Sequence, residues 1–342
     1  MIRDQFENGL VVFADAQIPD YTQTKYTEAI RCKGELIPLE IGKKASRVRD
    51  PVNIYTPVEN KRQGEYFLWW SKPLINYYHI ILDGLGCLWY YLDLRKSNPD
   101  IILLLNRTPR PGVAKYPPFV IELLELFDIN WEYTDPSAQY ETVYFGDTLN
   151  QDETGGRVAP DPKQWTLIEH MVRRSCEITN TPTYNKIYVS RRAHANPLNN
   201  RKDVIGEDNT VKRGLTNEDE VVKILTDLGY TEVFGENYTL AEKIALFSKM
   251  HKYISTAGAG VTNMLWVRDH EVRVGGVHTP GFPFPSNNHN RHICCQRPYS
   301  MAQIDCYKGA VLFHDPEAGE KNYNNPWYIN NLKAFRKWAE TI

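Results

Sequence analysis

Hydrophobic positions recur along this chain at two periods, and the changes of period mark its elements. Leu10-Val-Val-Phe and Pro51-Val-Asn-Ile-Tyr are short apolar runs of strand length, set between polar loops. Residues 76–92 form a strongly apolar helix with Asn76 at its cap. A strand at 101–105, a helix at 119–127 and strands at 131–133 and 142–145 follow, and this alternation implies a layered α/β domain. The Gly-, Pro- and acid-rich run 151–162 reads as a linker. A connecting helix follows at 163–177.

The second half alternates more cleanly. Strands at 186–190, 231–234, 253–255 and 272–277 are separated by helices at 217–228, 240–250 and 261–266. This is the pattern of a parallel, doubly wound sheet. Ile329, Leu332, Phe335 and Trp338 give the last segment, 328–340, one apolar stripe of helical spacing. The domains expected are 1–162, 163–325 and a closing helix in 326–342.

Composition narrows the class. The chain has 342 residues, long enough for two domains, and its 40 basic and 42 acidic residues leave no cationic footprint for nucleic acid. The longest apolar runs, such as residues 101–105, are strand-length, too short to span a bilayer. Residues 1–20 carry Arg3, Asp4, Glu7, Asp15 and Asp20, so they hold no signal-peptide core. Six cysteines without CxxC pairing read as reduced thiols, and the expected location is the cytoplasm.

Three segments put polar residues where the strands of a doubly wound sheet end, which is where such sheets bind ligands. They are Ser190-Arg191-Arg192, Arg213-Gly-Leu-Thr-Asn217-Glu218, and Thr256-Ala-Gly258-Ala259-Gly260-Val261-Thr262-Asn263. Guanidinium forks and outward-pointing backbone N–H groups at a helix start both donate to phosphoryl oxygens. The turn lacks the G-x-G-x-x-G spacing of dinucleotide binders, and no P-loop is present. No D-x-D pair and no cluster of metal-ligand spacing occurs, so no metal site is expected. In the first half, His79 and Asp83 share a helix face four residues apart. Such a pair is either a base with its orienting partner or a buried pair that satisfies its own hydrogen bonds. Gly84 and Gly86, which weaken that helix, fit close ligand approach or tight packing.

Asn76-Tyr-Tyr-His79…Asp83, Lys186-Ile-Tyr-Val-Ser-Arg-Arg192, Arg213-x-Leu-x-Asn-Glu218, Leu228-Gly-Tyr and Ala257-Gly-Ala-Gly-x-Thr-Asn263 together resemble the family 61 glycosyltransferases in order and spacing. That family includes plant xylan arabinosyl- and xylosyltransferases and animal O-linked N-acetylglucosaminyltransferases. The resemblance implies a GT-B fold: two Rossmann-like domains facing a cleft, with the C-terminal helix crossing back to pack on the N-terminal, acceptor-side domain. It implies transfer with inversion of a pentose such as xylose, or an N-acetylhexosamine, from a nucleotide-diphosphate donor to a glycan or glycoprotein hydroxyl. A UDP-sugar is the co-substrate it suggests, with no cofactor required. In that reading Asp83 or His79 is the base, Asp83 being preferred. Arg191, Arg192, Arg213, Asn217, Glu218, Gly258, Ala259, Gly260, Val261, Thr262 and Asn263 hold the donor. Eukaryotic members are usually membrane-anchored, so a chain without an anchor looks more like a bacterial or large-virus member.

Two departures stand against this pattern. Ala257 takes the place of the histidine usual in the turn, and Gly275-Gly-Val-His278 lacks the acidic residue often found after the next strand. A nucleotide-sugar-binding scaffold without catalysis therefore remains an alternative. An α/β oxidoreductase is a more distant one, disfavoured by the glycine spacing.

Overall fold

The computed structural model describes residues 10–18, 29–32, 35–38, 57–69, 76–107, 115–146, 161–190, 215–256, 258–267, 270–277, 303–307, 310–312 and 327–342. The chain divides into two compact units, Met1–Leu167 and Ile168–Ile342. The strand expected at 51–55 lies outside the described residues.

In the first unit β1 (Leu10–Gln17), β2 (Ala29–Cys32), β3 (Glu35–Pro38), β4 (Asn60–Leu68), β5 (Ile102–Leu105), β6 (Trp131–Tyr133) and β7 (Ala138–Gly146) form one sheet. Its order is β3-β2-β1-β7-β4-β5-β6. The β7-β4-β5-β6 part is parallel, while β1, β2 and β3 extend it antiparallel. This is a mixed sheet, compatible with the layered α/β domain expected. β6 passes to β7 through residues 134–137, too few for a crossover helix.

Helix α1 follows β4: Tyr77–His79, a π-helical segment Ile80–Gly84, then Leu85–Ser97. β4 alternates its last side chains. Tyr66 and Leu68 enter a core with Phe13, Leu104, Tyr140 and Phe145, while Phe67 meets the α1 ring of Tyr91 edge-on at 5.8 Å. α1 also lies close over the end of β7. A Cβ at Gly146 would come within 2.5 Å of the Tyr90 ring, so only glycine fits there. α2 (Pro118–Leu126) begins with proline at its first positions, where no N–H is needed.

α3 (Pro162–Ile178) begins in the first unit and continues into the second. There β8 (Lys186–Val189), β9 (Thr231–Val233), β10 (Lys252–Thr256), β11 (Arg273–Val277) and β12 (Gln303–Tyr307) form a sheet of order β12-β11-β10-β8-β9. All four pairings are parallel. α4 (Glu218–Asp227) joins β8 to β9, and α5 (Leu240–Ser248) joins β9 to β10. A Thr239–Glu242 capping box fixes the α5 start. Chain order moves outward from β8 to β9, then reverses to β10, β11 and β12. That reversal is the topological switch point of a doubly wound sheet.

The final helix is α6 (Leu332–Thr341). It packs on the second unit, with Phe335, Ala339 and Ile342 in a core shared with Tyr188, Ile254, Val277 and Tyr307. Gly275 of β11 makes room for it. A Cβ there would stand 2.9 Å from both Trp338 and Ile254. Arg336 adds an ion pair to Asp227 of α4 at 3.3 Å. A short ribbon of β13 (Ala310–Leu312) and β14 (Trp327–Ile329) precedes it. No helix among the described residues is long and apolar enough to cross a membrane.

Candidate functional site

The first unit presents a dyad on an irregular helix. Asn76 caps α1, its side chain accepting from the Tyr78 N–H at 3.0 Å. One turn on, His79 Nδ1 and Asp83 Oδ2 are 2.7 Å apart. A carboxylate can only accept, so Nδ1 carries the hydrogen and Nε2 is the basic nitrogen of the ring. The Asp83 side chain is 8% exposed and the imidazole 29% exposed, so the histidine is the member that solvent, or a substrate, can reach.

Asp83 sits inside the π-helical segment, a local form often found at functional sites. The Leu85 N–H reaches back five residues to Ile80 O, one residue farther than an α-helix allows. Side chains from outside the helix donate to carbonyls of this turn. Trp69, just after β4, donates its indole N–H to Gly84 O at 2.9 Å. Gln164 of α3, fully buried, donates its amide to Leu82 O at 2.6 Å and Ile81 O at 3.2 Å. Two side chains far apart in sequence thus hold open the turn that carries Asp83. The sequence pattern gives no sign of the slip, because apolar positions at 80–82 and 85 fit either ladder.

The second candidate lies at the carboxyl ends of β8 and β10, where the strand order reverses. Gly258 leads into a 3₁₀ helix, Ala259–Trp266, in place of the α-helix expected there. The Tyr253 hydroxyl donates to Gly260 O at 2.8 Å, competing for the carbonyl that an α-helix would offer to Met264. The first turn closes instead from Val261 N to Gly258 O at 3.2 Å. Gly260 passes over the neighbouring strand, where a Cβ would lie 3.7 Å from Val189. Ser255, Thr256 and Thr262 are buried at this corner, and none of their hydroxyls has a hydrogen-bond partner among the described residues. Buried hydroxyls without partners need an explanation, and a ligand or water at this strand-end corner is one. Asn263 is buried and accepts from the Trp266 indole at 3.3 Å.

Asn217 and Glu218 are already engaged within the protein. The Asn217 amide exchanges two 3.0 Å hydrogen bonds with the backbone of Ile329, pinning β14 to the start of α4. The buried Glu218 carboxylate accepts from Tyr188 at 2.8 Å and Ser190 at 2.7 Å. Glu218 therefore fastens the end of β8, directly before Arg191. Arg191, Arg192, Arg213 and Ala257 lie outside the described residues. Among the described residues, no group of three or more His, Cys, Asp or Glu could hold a metal ion.

The family model Glycosyltransferase 61 matches residues 77–274, from the start of α1 to the start of β11. Both candidate sites fall inside that span. No curated protein matches the chain.

Proposed function

The chain belongs to glycosyltransferase family 61 and is a glycosyltransferase, and on that premise we propose an inverting, metal-independent transfer from a nucleotide-diphosphate sugar. The observation that carries the donor side is the β8/β10 corner: a strand-order reversal, a glycine turn and three buried hydroxyls without partners among the described residues. In this reading the diphosphate lies against the N–H groups of Gly258, Ala259 and Gly260 and takes hydrogen bonds from Ser255, Thr256 and Thr262. Arg191 and Arg213 supply the positive charge. Asn217 and Glu218 support the donor site from behind, through β14 and the end of β8. The two units serve as acceptor and donor halves of a GT-B enzyme.

On the acceptor side, the greater exposure of His79 favours it over Asp83 as the base. The acceptor hydroxyl gives its proton to His79 Nε2 while its oxygen attacks the anomeric carbon. The bond from that carbon to the diphosphate oxygen breaks, and the nucleoside diphosphate leaves with the electron pair. Asp83 accepts from Nδ1–H, fixes the tautomer and stabilises the imidazolium as it forms. Family resemblance favours UDP with a pentose such as xylose, or an N-acetylhexosamine, and a glycan or glycoprotein acceptor.

The test is a screen of nucleotide sugars by thermal stabilisation and by release of the nucleoside diphosphate. A ligand at about 100 times its dissociation constant adds roughly 2.7 kcal/mol to stability. Stabilisation with turnover on one sugar nucleotide supports the reading. Binding without turnover on any acceptor would favour the scaffold alternative that Ala257 suggests.

A further inference from the structure

The peptide unit between Gly260 and Val261 is held at both ends, and only one of its holders belongs to the turn. Its N–H, that of Val261, closes the first 3₁₀ turn on Gly258 O at 3.2 Å. Its carbonyl, that of Gly260, accepts from the Tyr253 hydroxyl at 2.8 Å. A peptide unit is planar and trans, with N–H and C=O pointing opposite ways, so fixing one end aims the other. Tyr253 thus reaches forward from inside β10 and sets the plane on which the turn closes.

Tyr253 is itself fixed. It is fully buried, and its ring meets Phe247 of α5 edge-on at 6.1 Å. Tyr253 and Ser255 stand two apart on β10 and so share one face of the sheet. Val189 of β8 lies beside Ser255 in register. Gly260 lies over that face, since a Cβ there would stand 3.5 Å from the Tyr253 hydroxyl and 3.7 Å from Val189. Ser255, whose buried hydroxyl has no partner among the described residues, is therefore on the face that the turn covers. The 3₁₀ helix that starts here runs for eight residues, longer than this form usually persists. Side chains three apart eclipse in such a helix, and Trp266 donates to Asn263 across that spacing at 3.3 Å. Tyr253 braces its first turn and Trp266 its last.

We propose that Tyr253 is a positioning residue for the donor: its hydroxyl holds the Gly260–Val261 peptide so that the N–H groups of Gly258, Ala259 and Gly260 stay preset for a nucleoside diphosphate. The proposal rests on the reading of this corner as the donor site, and adds to it a side chain that touches no ligand. Without the hydroxyl the ring still fills the core. The peptide plane is then free to rotate, the Gly260 carbonyl can take the Met264 N–H as in an α-helix, and the preceding N–H groups lose their fixed aim. Ordering them becomes a cost of binding, so affinity falls.

Tyr253→Phe removes only the hydroxyl and keeps the ring against Phe247. The full chain is titrated by calorimetry with inorganic pyrophosphate and with UDP. Donor and acceptor KM are measured on whichever sugar nucleotide turns over. Both anions should bind about three- to tenfold more weakly, the scale of one hydrogen bond. The donor KM should rise by a similar factor while the acceptor KM stays at its wild-type value. A melt in which Tm falls by no more than about 4 °C certifies the fold. A tyrosine with only a structural role would lower Tm and leave both anion affinities unchanged. That result, or a rise in acceptor KM with donor KM unmoved, overturns the proposal. Wild-type protein that binds neither UDP nor pyrophosphate overturns the donor reading itself, and the proposal with it.

Discussion

Replacing Gln164 with leucine tests whether the π-helical turn under Asp83 is held from outside. Leucine keeps most of the volume but removes both donors, stranding the carbonyls of Ile81 and Leu82 in a buried place. Each buried acceptor left without a partner costs about 1–3 kcal/mol. Gln164 Oε1 is itself unmet among the described residues, and leucine removes that cost, so the net loss is roughly 1–3 kcal/mol. For a unit of this size that lowers Tm by about 3–10 °C. A return of the ladder to α-helical register would give those carbonyls new partners and re-aim Asp83 relative to His79. A misplaced catalytic group costs on the order of a hundredfold in rate. Differential scanning calorimetry and steady-state kinetics together check this. The expected pattern is a moderate fall in Tm, a large fall in kcat and unchanged donor affinity. A Gln164→Leu protein with wild-type Tm and kcat would refute the argument.

Gly275→Ala should destabilise the second unit by about 1–3 kcal/mol through contact with Trp338 and Ile254, and Trp338→Phe should restore part of that stability in thermal melts. Arg213→Ala should weaken binding of the free nucleoside diphosphate about tenfold or more, the scale of a charge-assisted hydrogen bond, with no change in Tm of the unliganded protein; unchanged calorimetric affinity would remove Arg213 from the donor site. EDTA should leave transfer rates largely intact, since arginines and backbone N–H groups are taken to meet the diphosphate charge. Activity abolished by chelation and restored by manganese would contradict that.

Much of the second unit is legible in sequence because each parallel strand is a short apolar run followed by a periodic helix. The β10 turn announces itself by its small residues, as the α1 start does by Asn76. β4 is not legible: residues 60–65 are polar, largely exposed and broken by Gly64, and only Tyr66, Phe67 and Leu68 carry burial. β12 hides likewise in the mixed run Gln303-Ile-Asp-Cys-Tyr. The π-helical slip and its supports are out of reach of pattern reading because Gln164 and Trp69 act through tertiary contacts. The bonds of Asn217 to Ile329 and of Glu218 to Tyr188 and Ser190 are likewise tertiary, and no local pattern announces them.

The most direct test of the account compares His79→Ala and Asp83→Asn in one assay that reports both turnover and donor dissociation. A positioned general base is worth roughly a hundred- to ten-thousand-fold in rate. The account predicts that His79→Ala loses activity on that scale while donor affinity and Tm stay near wild type. Asp83→Asn should also lose activity, because asparagine cannot hold Nδ1–H and Nε2 in the same roles. Substantial turnover in a folded His79→Ala enzyme, or a collapse of Tm in both variants with activity retained, would show the 2.7 Å pair to be a structural bond and nothing more.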